Sequence, residues 1–393
     1  MYKVLTRNKI AKIGLDQLDP ALFEHSDTEE RPDAILVRSA DLHGLTLSGP
    51  DTLQCIARAG AGVNNIPVDR CSEAGIVVFN TPGANANGVK ELALCALLLS
   101  ARDIAGGIAW AAGLKDAGDA VPGLIEKGKS AFAGPELMGK TLGVIGLGAI
   151  GVMVANAART LGMEVLGFDP YLSVDSAWGL SRGVHRAHGL KQIYAESDYL
   201  SLHVPLGPET RGMLNAEVFE HCKPGLRIIN LARGDLVQTD DLLSALADGR
   251  VARYVTDFPS AALLGHEKVV AIPHLGASTP ESEDNCAVMA AKELSDFLLL
   301  GHIQNSVNYP NISLEVGEGC ARLCVAHRNI PMMVSALSST LAEAGINIEN
   351  MVNRSKKDYA YTLLDINTVP NDDLLHTLSK VDGILRTRLI ARA

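Results

Sequence analysis

Four short segments bring together side chains suited to chemistry on a small anion. TLGVIGLGAIG carries Gly146, Gly148 and Gly151 in the spacing GxGxxG; LHVPL carries His203, Val204 and Pro205, with Thr210 close behind; NLARGDLV carries Ala232 and Arg233; IPHLGAST carries His274 and Gly276. The glycine triplet follows a β-branched run and precedes a helical stretch over 150–161. That placement suits a pyrophosphate. The first glycine permits the tight turn, the second lets the backbone approach the phosphates, and the third lets helix and strand pack closely. The helix start at Ala149 and Ile150 then turns its N-terminus toward negative charge. The next strand-like run, MEVLGFD, ends in Asp169, 23 residues after Gly146. A carboxylate there accepts hydrogen bonds from the adenosine ribose hydroxyls and repels a 2′-phosphate, which favours NAD over NADP.

Singly, Arg233 reads as a member of a surface ion pair and His274 as a structural imidazole. In this order they fit one reaction. Oxidising an alcohol next to a carboxylate needs a nicotinamide to take the hydride, a cation for the carboxylate and a base for the hydroxyl proton. Arg233 offers a planar fork for carboxylate and carbonyl oxygens, and an imidazole such as His274 exchanges protons near neutral pH.

The elements that must position these residues are legible as alternation. Candidate strands at 34–38, 76–79, 141–145, 164–168, 199–203, 227–230 and 269–272 alternate with Ala- and Leu-rich helical stretches such as 88–102 and 239–246, the pattern of a parallel sheet with crossover helices. After the non-helical SVNYPN segment, predicted elements over 322–326, 331–344, 346–352, 359–366, 372–381 and 384–390 read β, α, β, β, α, β, a ferredoxin-like unit. With 393 residues, 47% hydrophobic, the chain is long enough for two or three cores, and disorder and collagen-like repeats are excluded. Its formal charge of −10 argues against nonspecific binding to nucleic acid or anionic membranes. Most of that excess, −8, lies in residues 91–314, so an anionic substrate needs a local cationic pocket. The seven cysteines are scattered and odd in number, which suits a reduced cytoplasm. Cys320 and Cys324 are expected on one strand face as core residues, and no metal site is expected. The N-terminus has no apolar signal core, and the longest apolar run, 92–101, is about half a membrane span.

Together the stretches GLGAIG, HVPLGPETRGMLN, KPGLRIINLARGDLV and PHLGAST resemble the D-2-hydroxyacid dehydrogenase family, most nearly its phosphoglycerate dehydrogenase branch with a C-terminal ACT domain. The resemblance runs to Ala393. It implies an α/β architecture: a Rossmann cofactor domain (92–276) inserted in a flavodoxin-like substrate domain (1–91 and 277–312), followed by a ferredoxin-like ACT domain (318–393). It implies NAD as cofactor and 3-phosphoglycerate as substrate, oxidised to 3-phosphohydroxypyruvate at the start of serine synthesis, by a cytoplasmic homodimer or homotetramer. Arg233 would orient the substrate carboxylate, His274 would be the acid/base, and Asp257 would hold the nicotinamide carboxamide. Arg38, Ser39, Arg58, Gly62 and Asn64 fall where the family binds the carboxylate or phosphate end. His327, Asn329 and Asn347 match the residues that hold L-serine in serine-sensitive members.

Two departures stand out. The family usually has a glutamate, in a DVFxxEP-like stretch, that bonds the catalytic histidine; here the stretch is DFPSAALLGHEK, and Glu267 is a poor match in position. Without that partner His274 is expected to be held less firmly as imidazolium, with a pH profile moved to lower pH. The ACT loop commonly has glycine where Met332 stands, which is expected to crowd the effector pocket. Two other readings stay open: a hydroxypyruvate, glyoxylate or other 2-keto acid reductase, which needs no phosphate clamp, and an NAD-sensing binding module of the corepressor type.

Overall fold

The computed structural model describes residues 1–46, 52–315, 317 and 319–391, so the expected outer limits of the C-terminal domain, 318 and 393, lie outside the described residues. The chain forms two compact units, Met1–Asn85 with Pro280–Ala393, and Ala86–Thr279. The first break falls ahead of the helix Ala86–Ala101, which a boundary at 91/92 would cut.

In the first unit, β1 (Tyr2–Arg7), β2 (Phe23–Ser26), β3 (Ala34–Val37), β4 (Cys55–Arg58) and β5 (Val77–Phe79) form an all-parallel sheet in the order β2-β1-β3-β4-β5. This is the flavodoxin-like order, whose ligand crevice lies where β1 and β3 part. Every residue of β3 and β5 is buried, as expected of parallel strands covered on both faces. The SVNYPN segment is non-helical but no free linker. Asn308 accepts from Val78 N (2.9 Å) and donates to Ile76 O (2.9 Å), the Tyr309 hydroxyl donates to Ser72 O (2.8 Å), and both side chains are buried.

The second unit is built on β6 (Thr141–Ile145), β7 (Glu164–Phe168), β8 (Val184–Arg186), β9 (Tyr199–Leu202), β10 (Leu226–Asn230), β11 (Val251–Thr256) and β12 (Val269–Ala271), all parallel, in the order β12-β11-β10-β9-β6-β7-β8. The chain reverses its direction of winding between β6 and β9, so the ends of these two strands mark the ligand crevice of the sheet. The helix Ala86–Ala101 covers one face with small residues, Ala93, Ala96 and Ala101 beside Leu97, which lets it lie close to the strands.

The C-terminal sheet belongs to the first unit. Its strands β13 (Ala321–Arg328), β14 (Ile348–Lys356), β15 (Tyr359–Ile366) and β16 (Ile384–Ala391) pair antiparallel in the order β14-β15-β13-β16, with helices Met333–Glu343 and Asp372–Ser379 between them. A buried bidentate pair, Arg322 with Asp365 (2.7 and 3.0 Å), crosses β13 and β15. Glu73 accepts from both Arg328 and the Tyr359 hydroxyl, which fastens this sheet to the first one. Cys324 is buried in β13, but Cys320 precedes the strand and is exposed, so the two do not share a core face. No single helix among the described residues is long and apolar enough to cross a membrane.

Candidate active site

The three glycines stand at the end of β6, and each answers a different steric demand. Gly146 has φ +91°, a conformation costly for residues with a Cβ, and a Cβ there would strike the His203 carbonyl. A Cβ on Gly151 would run into the Gly146 carbonyl. Nothing lies within 4 Å of the direction a Cβ on Gly148 would take. The loop is thus closed by its first and third glycines and open at the second, at the N-terminus of helix Ala149–Thr160. This open backbone face fits a dinucleotide pyrophosphate. Asp169, at the end of β7, accepts from Leu147 N (2.8 Å) through one oxygen and from Tyr171 N (2.8 Å) through the other. Its carboxylate is therefore fixed against the glycine loop.

Across the crevice, His203 follows β9. Its Nε2 meets the Ser201 hydroxyl at 2.8 Å, and burial pushes its pKa down to about 4, so the ring is neutral at neutral pH. Val204 is partly buried and Pro205 exposed beside it. Thr210 ties this loop by donating to Pro205 O (2.6 Å) and accepting from Gly207 N (2.8 Å).

Arg233 follows β10. The loop that carries it is held by Asn230, a fully buried side chain whose Oδ1 accepts from Ala232 N (3.2 Å) and Arg233 N (3.3 Å), while Nδ2 donates to Arg233 O (2.9 Å) and the Tyr254 hydroxyl (3.0 Å). Asn230 is a positioning residue whose place in NLARG was visible but whose role was not. Phe258 was missed outright. The Arg233 guanidinium lies 5.5 Å from the centroid of its ring, and the His274 imidazole meets the same ring edge-on with centroids 4.5 Å apart. His274 Nδ1 lies 3.3 Å from Asp257 Oδ2; the imidazole side chain is 58% exposed and the carboxylate 2%. Burial raises the Asp257 pKa, opposed by His274 and Arg233, and its Oδ1 is buried without a hydrogen-bond partner. Gly276 packs against Val89, whose Cγ2 would lie 3.0 Å from a Cβ at that position. Arg233, Asp257, Phe258 and His274 thus gather at the carboxyl ends of β10, β11 and β12, on the same edge of the sheet as the glycine loop.

The first unit presents cations at its own crevice. Arg58 Nε donates to Arg38 O (3.0 Å), and Gly60 and Gly62 leave room for the guanidinium: a Cβ on them would lie 2.7 and 3.5 Å from Nη1. Asn64 sits on the same turn, with Oδ1 3.6 Å from the Cβ position of Gly62. Burial, and less strongly Arg38, lowers the Arg58 pKa, an environment that an anion would relieve. Ser39 N donates to Asn8 Oδ1 (3.1 Å). Arg38 already has an anion: Glu283 Oε1 lies 2.5 Å from its Nη2.

The expected effector trio is not presented as a set of free groups. His327 is buried, with Nδ1 at 2.8 Å from Arg328 O and Nε2 at 2.8 Å from the Thr362 hydroxyl. Both ring nitrogens are therefore engaged. Asn329 and Asn347 are exposed, and their amides donate to Lys357 O and Glu349. Met332 takes φ +73° and is 74% exposed, a side chain in a backbone conformation that favours glycine.

Comparison with known proteins agrees with this geometry. Residues 107–276 match the family described as D-isomer specific 2-hydroxyacid dehydrogenase, NAD binding domain. The chain carries the NAD-binding domain of the D-2-hydroxyacid dehydrogenases. It is 33% identical over 335 residues to D-3-phosphoglycerate dehydrogenase of Synechocystis sp., covering 81% of this chain and 58% of that protein. Against the Homo sapiens protein of the same name the identity is 36% over 273 residues, covering 68% and 49%. The chain therefore spans about half the length of the curated relatives it matches. Among solved structures, NAD+-bound 3-phosphoglycerate dehydrogenase of Entamoeba histolytica superposes with a TM-score of 0.59 at 25% identity, covering 80% of this chain and 99% of that one. NAD is the cofactor of this domain, and the open face at Gly148 with Asp169 anchored beside it is where this chain's own residues fit it.

Proposed function

We propose that this chain is an NAD-dependent D-2-hydroxyacid dehydrogenase that oxidises 3-phosphoglycerate to 3-phosphohydroxypyruvate. The observation that carries the reading is the convergence of Arg233 and His274 on the ring of Phe258, on the sheet edge that also holds the dinucleotide loop. When bound, NAD supplies the hydride acceptor. Arg233 engages the substrate carboxylate and the oxygen that becomes a carbonyl, and its fixed charge stabilises negative charge on that oxygen. His274 takes the hydroxyl proton as the carbon–hydrogen bond gives up its hydride, and returns a proton in the reverse direction. Arg58 and Arg38 are assigned to the phosphate end, whose charge of about −1.5 to −2 calls for more than one cation.

Phosphate selectivity is the finer part of the proposal. The Arg38–Glu283 pair favours a second reading, a reductase of unphosphorylated 2-keto acids, because a phosphate would have to displace or tolerate that carboxylate. For the C-terminal sheet, amino-acid binding is retained for Asn329 and Asn347, without His327. One assay addresses these points: kcat/KM for 3-phosphoglycerate, glycerate and other 2-hydroxy acids, followed by NADH absorbance with and without serine. A preference for 3-phosphoglycerate supports the main reading; a preference for unphosphorylated acids supports the second; inactivity toward every one sinks both. In His274→Ala turnover should fall by roughly 100- to 10,000-fold while the NAD Kd stays within about threefold. Equal loss of both would make His274 structural.

A further inference from the structure

We propose that Asp257 and Phe258 together support the proton-transfer base, filling the place of the glutamate this chain lacks: Asp257 fixes the imidazole through Nδ1, and Phe258 packs its ring against it. The proposal rests on the reading of His274 as acid/base. Pairing of Thr256 with Ala271 between β11 and β12 brings the residue after Thr256 beside the segment that leads to His274, although the two are 17 positions apart in sequence. Among the described residues the carboxylate that reaches His274 is Asp257, at 3.3 Å, and not Glu267. A hydrogen on Nδ1 directed to Asp257 Oδ2 leaves Nε2 as the lone-pair nitrogen, the one able to accept a proton from substrate. The distance is long for a charge-assisted bond, as such contacts often are before substrate binds.

The other carboxylate oxygen explains why one acid can do two jobs. Among the described residues Asp257 Oδ1 is buried and has no hydrogen-bond partner, and a buried carboxylate oxygen in that condition is costly unless a donor arrives. The amide N–H of a nicotinamide carboxamide is a donor of the required kind, so the two oxygens can serve base and cofactor separately. Phe258 is placed by its own N–H, which donates to the Thr256 hydroxyl (3.1 Å). Its ring meets both the Arg233 guanidinium, at 5.5 Å from the centroid, and the His274 imidazole, at 4.5 Å, so one side chain packs against substrate cation and base. The charged groups acting on Asp257 are His274 and Arg233, so this trio sets the local electrostatics.

The test uses the full chain without cofactor, with 15N-labelled histidine followed by NMR. In the wild-type protein His274 should be the Nδ1–H tautomer; an Nε2–H tautomer overturns the proposal without any mutation. In Asp257→Asn the Nδ1–H preference should be lost, whereas Phe258→Leu should keep it. An unchanged tautomer in a folded Asp257→Asn protein also overturns the proposal. In turnover, Asp257→Asn should lose about 10- to 100-fold and carry the acid limb of its kcat/KM profile to lower pH. Phe258→Leu should lower kcat and raise KM with that limb in place. An unshifted limb in Asp257→Asn counts against the proposal even if activity falls. Inactivity of the wild type toward every 2-hydroxy acid, with the tautomer and its dependence on Asp257 intact, would overturn the dehydrogenase reading and leave the pairing standing.

Discussion

In the unit Ala86–Thr279 the surface prepared for an anion is backbone: a helix N-terminus, an open glycine face at Gly148, and an acid, Asp169, that is tied to the loop rather than opposing it. In the unit formed by Met1–Asn85 and Pro280–Ala393 the corresponding surface is guanidinium, and one of the two groups is occupied by Glu283. Backbone donors cost no side-chain entropy to organise and leave the net charge of a domain unconstrained, which is why the acidic part of this chain can still take a dinucleotide. Guanidinium groups can be neutralised by a single neighbouring carboxylate, so their selectivity depends on what else stands near. One site is therefore fixed by sterics and the other is adjustable by charge.

The glycines offer the strongest way to break this comparison. Gly148→Ala should fold with an unchanged Tm yet bind NAD on the order of 100-fold more weakly, because its Cβ occupies space meant for ligand. Gly151→Ala should lose stability by several kcal/mol, its Cβ colliding with a carbonyl. Thermal melts and NAD titration of the two variants check this, and equal effects on both quantities would erase the distinction. The arginines come next. Arg58→Ala should lower kcat/KM for a phosphorylated substrate by roughly 10- to 100-fold, the worth of a charge-assisted hydrogen bond or two. Arg38→Ala should cost less than about tenfold, since Glu283 already consumes its charge. Kinetics with paired phosphorylated and unphosphorylated substrates decides, and a larger loss in Arg38→Ala would reverse the assignment.

The smallest effect separates the units by pH. His203 is pushed down to about 4 by burial, so an unfolded chain binds its proton first, and the cofactor unit loses stability as pH falls from about 6.5 toward 4. Glu293, on the helix Pro280–Leu300, is pushed up to about 8 by burial; Oε1 accepts from Asn305 (2.7 Å) and Oε2 has no partner. The native protein keeps that proton while an unfolded glutamate releases it near 4.5, so the first unit loses stability as pH rises from about 4.5 to 8. Glu293→Gln should therefore gain Tm over wild type by an amount that is smallest below about pH 4.5, grows as pH rises to about 8 and then levels off. A gain that grows instead toward low pH would contradict the assignment.

Much of the cofactor sheet was legible because its signals are local: β-branched runs of four to six residues and a glycine triplet whose spacing has one steric meaning. The predicted strands at 141–145 and 164–168 agree with β6 and β7 to the residue. The edge strands β2 and β8 carry FEHS and VHR, too short and too polar to announce themselves. The segment 104–132 forms two helices, Ile104–Ala112 and Val121–Gly128, that bury no residue within their unit and leave Ile104, Ile108 and Leu124 exposed. The supports of the site were hidden for another reason. Asp257 meets His274 through strand register, Asn230 folds back on its own loop, and Phe258 touches two residues from two different strands; none of these is a property of spacing along the chain. His327 was expected to be open to an effector, but β13 is buried from Ala321 to His327 and both ring nitrogens are engaged, by Arg328 O and the Thr362 hydroxyl.

The helix Pro280–Leu300 spans 21 residues, about 30 Å at 1.5 Å per residue. Its first turn carries Glu283, the acid that grips Arg38. At its far end the carbonyls of Phe297 and Leu298 accept from Arg388 on β16, and that of Leu300 from Arg322 on β13. It is a push-rod pinned at both tips, with no proline or glycine inside it to act as a joint. One continuous helix therefore joins the C-terminal sheet to the acid that neutralises Arg38.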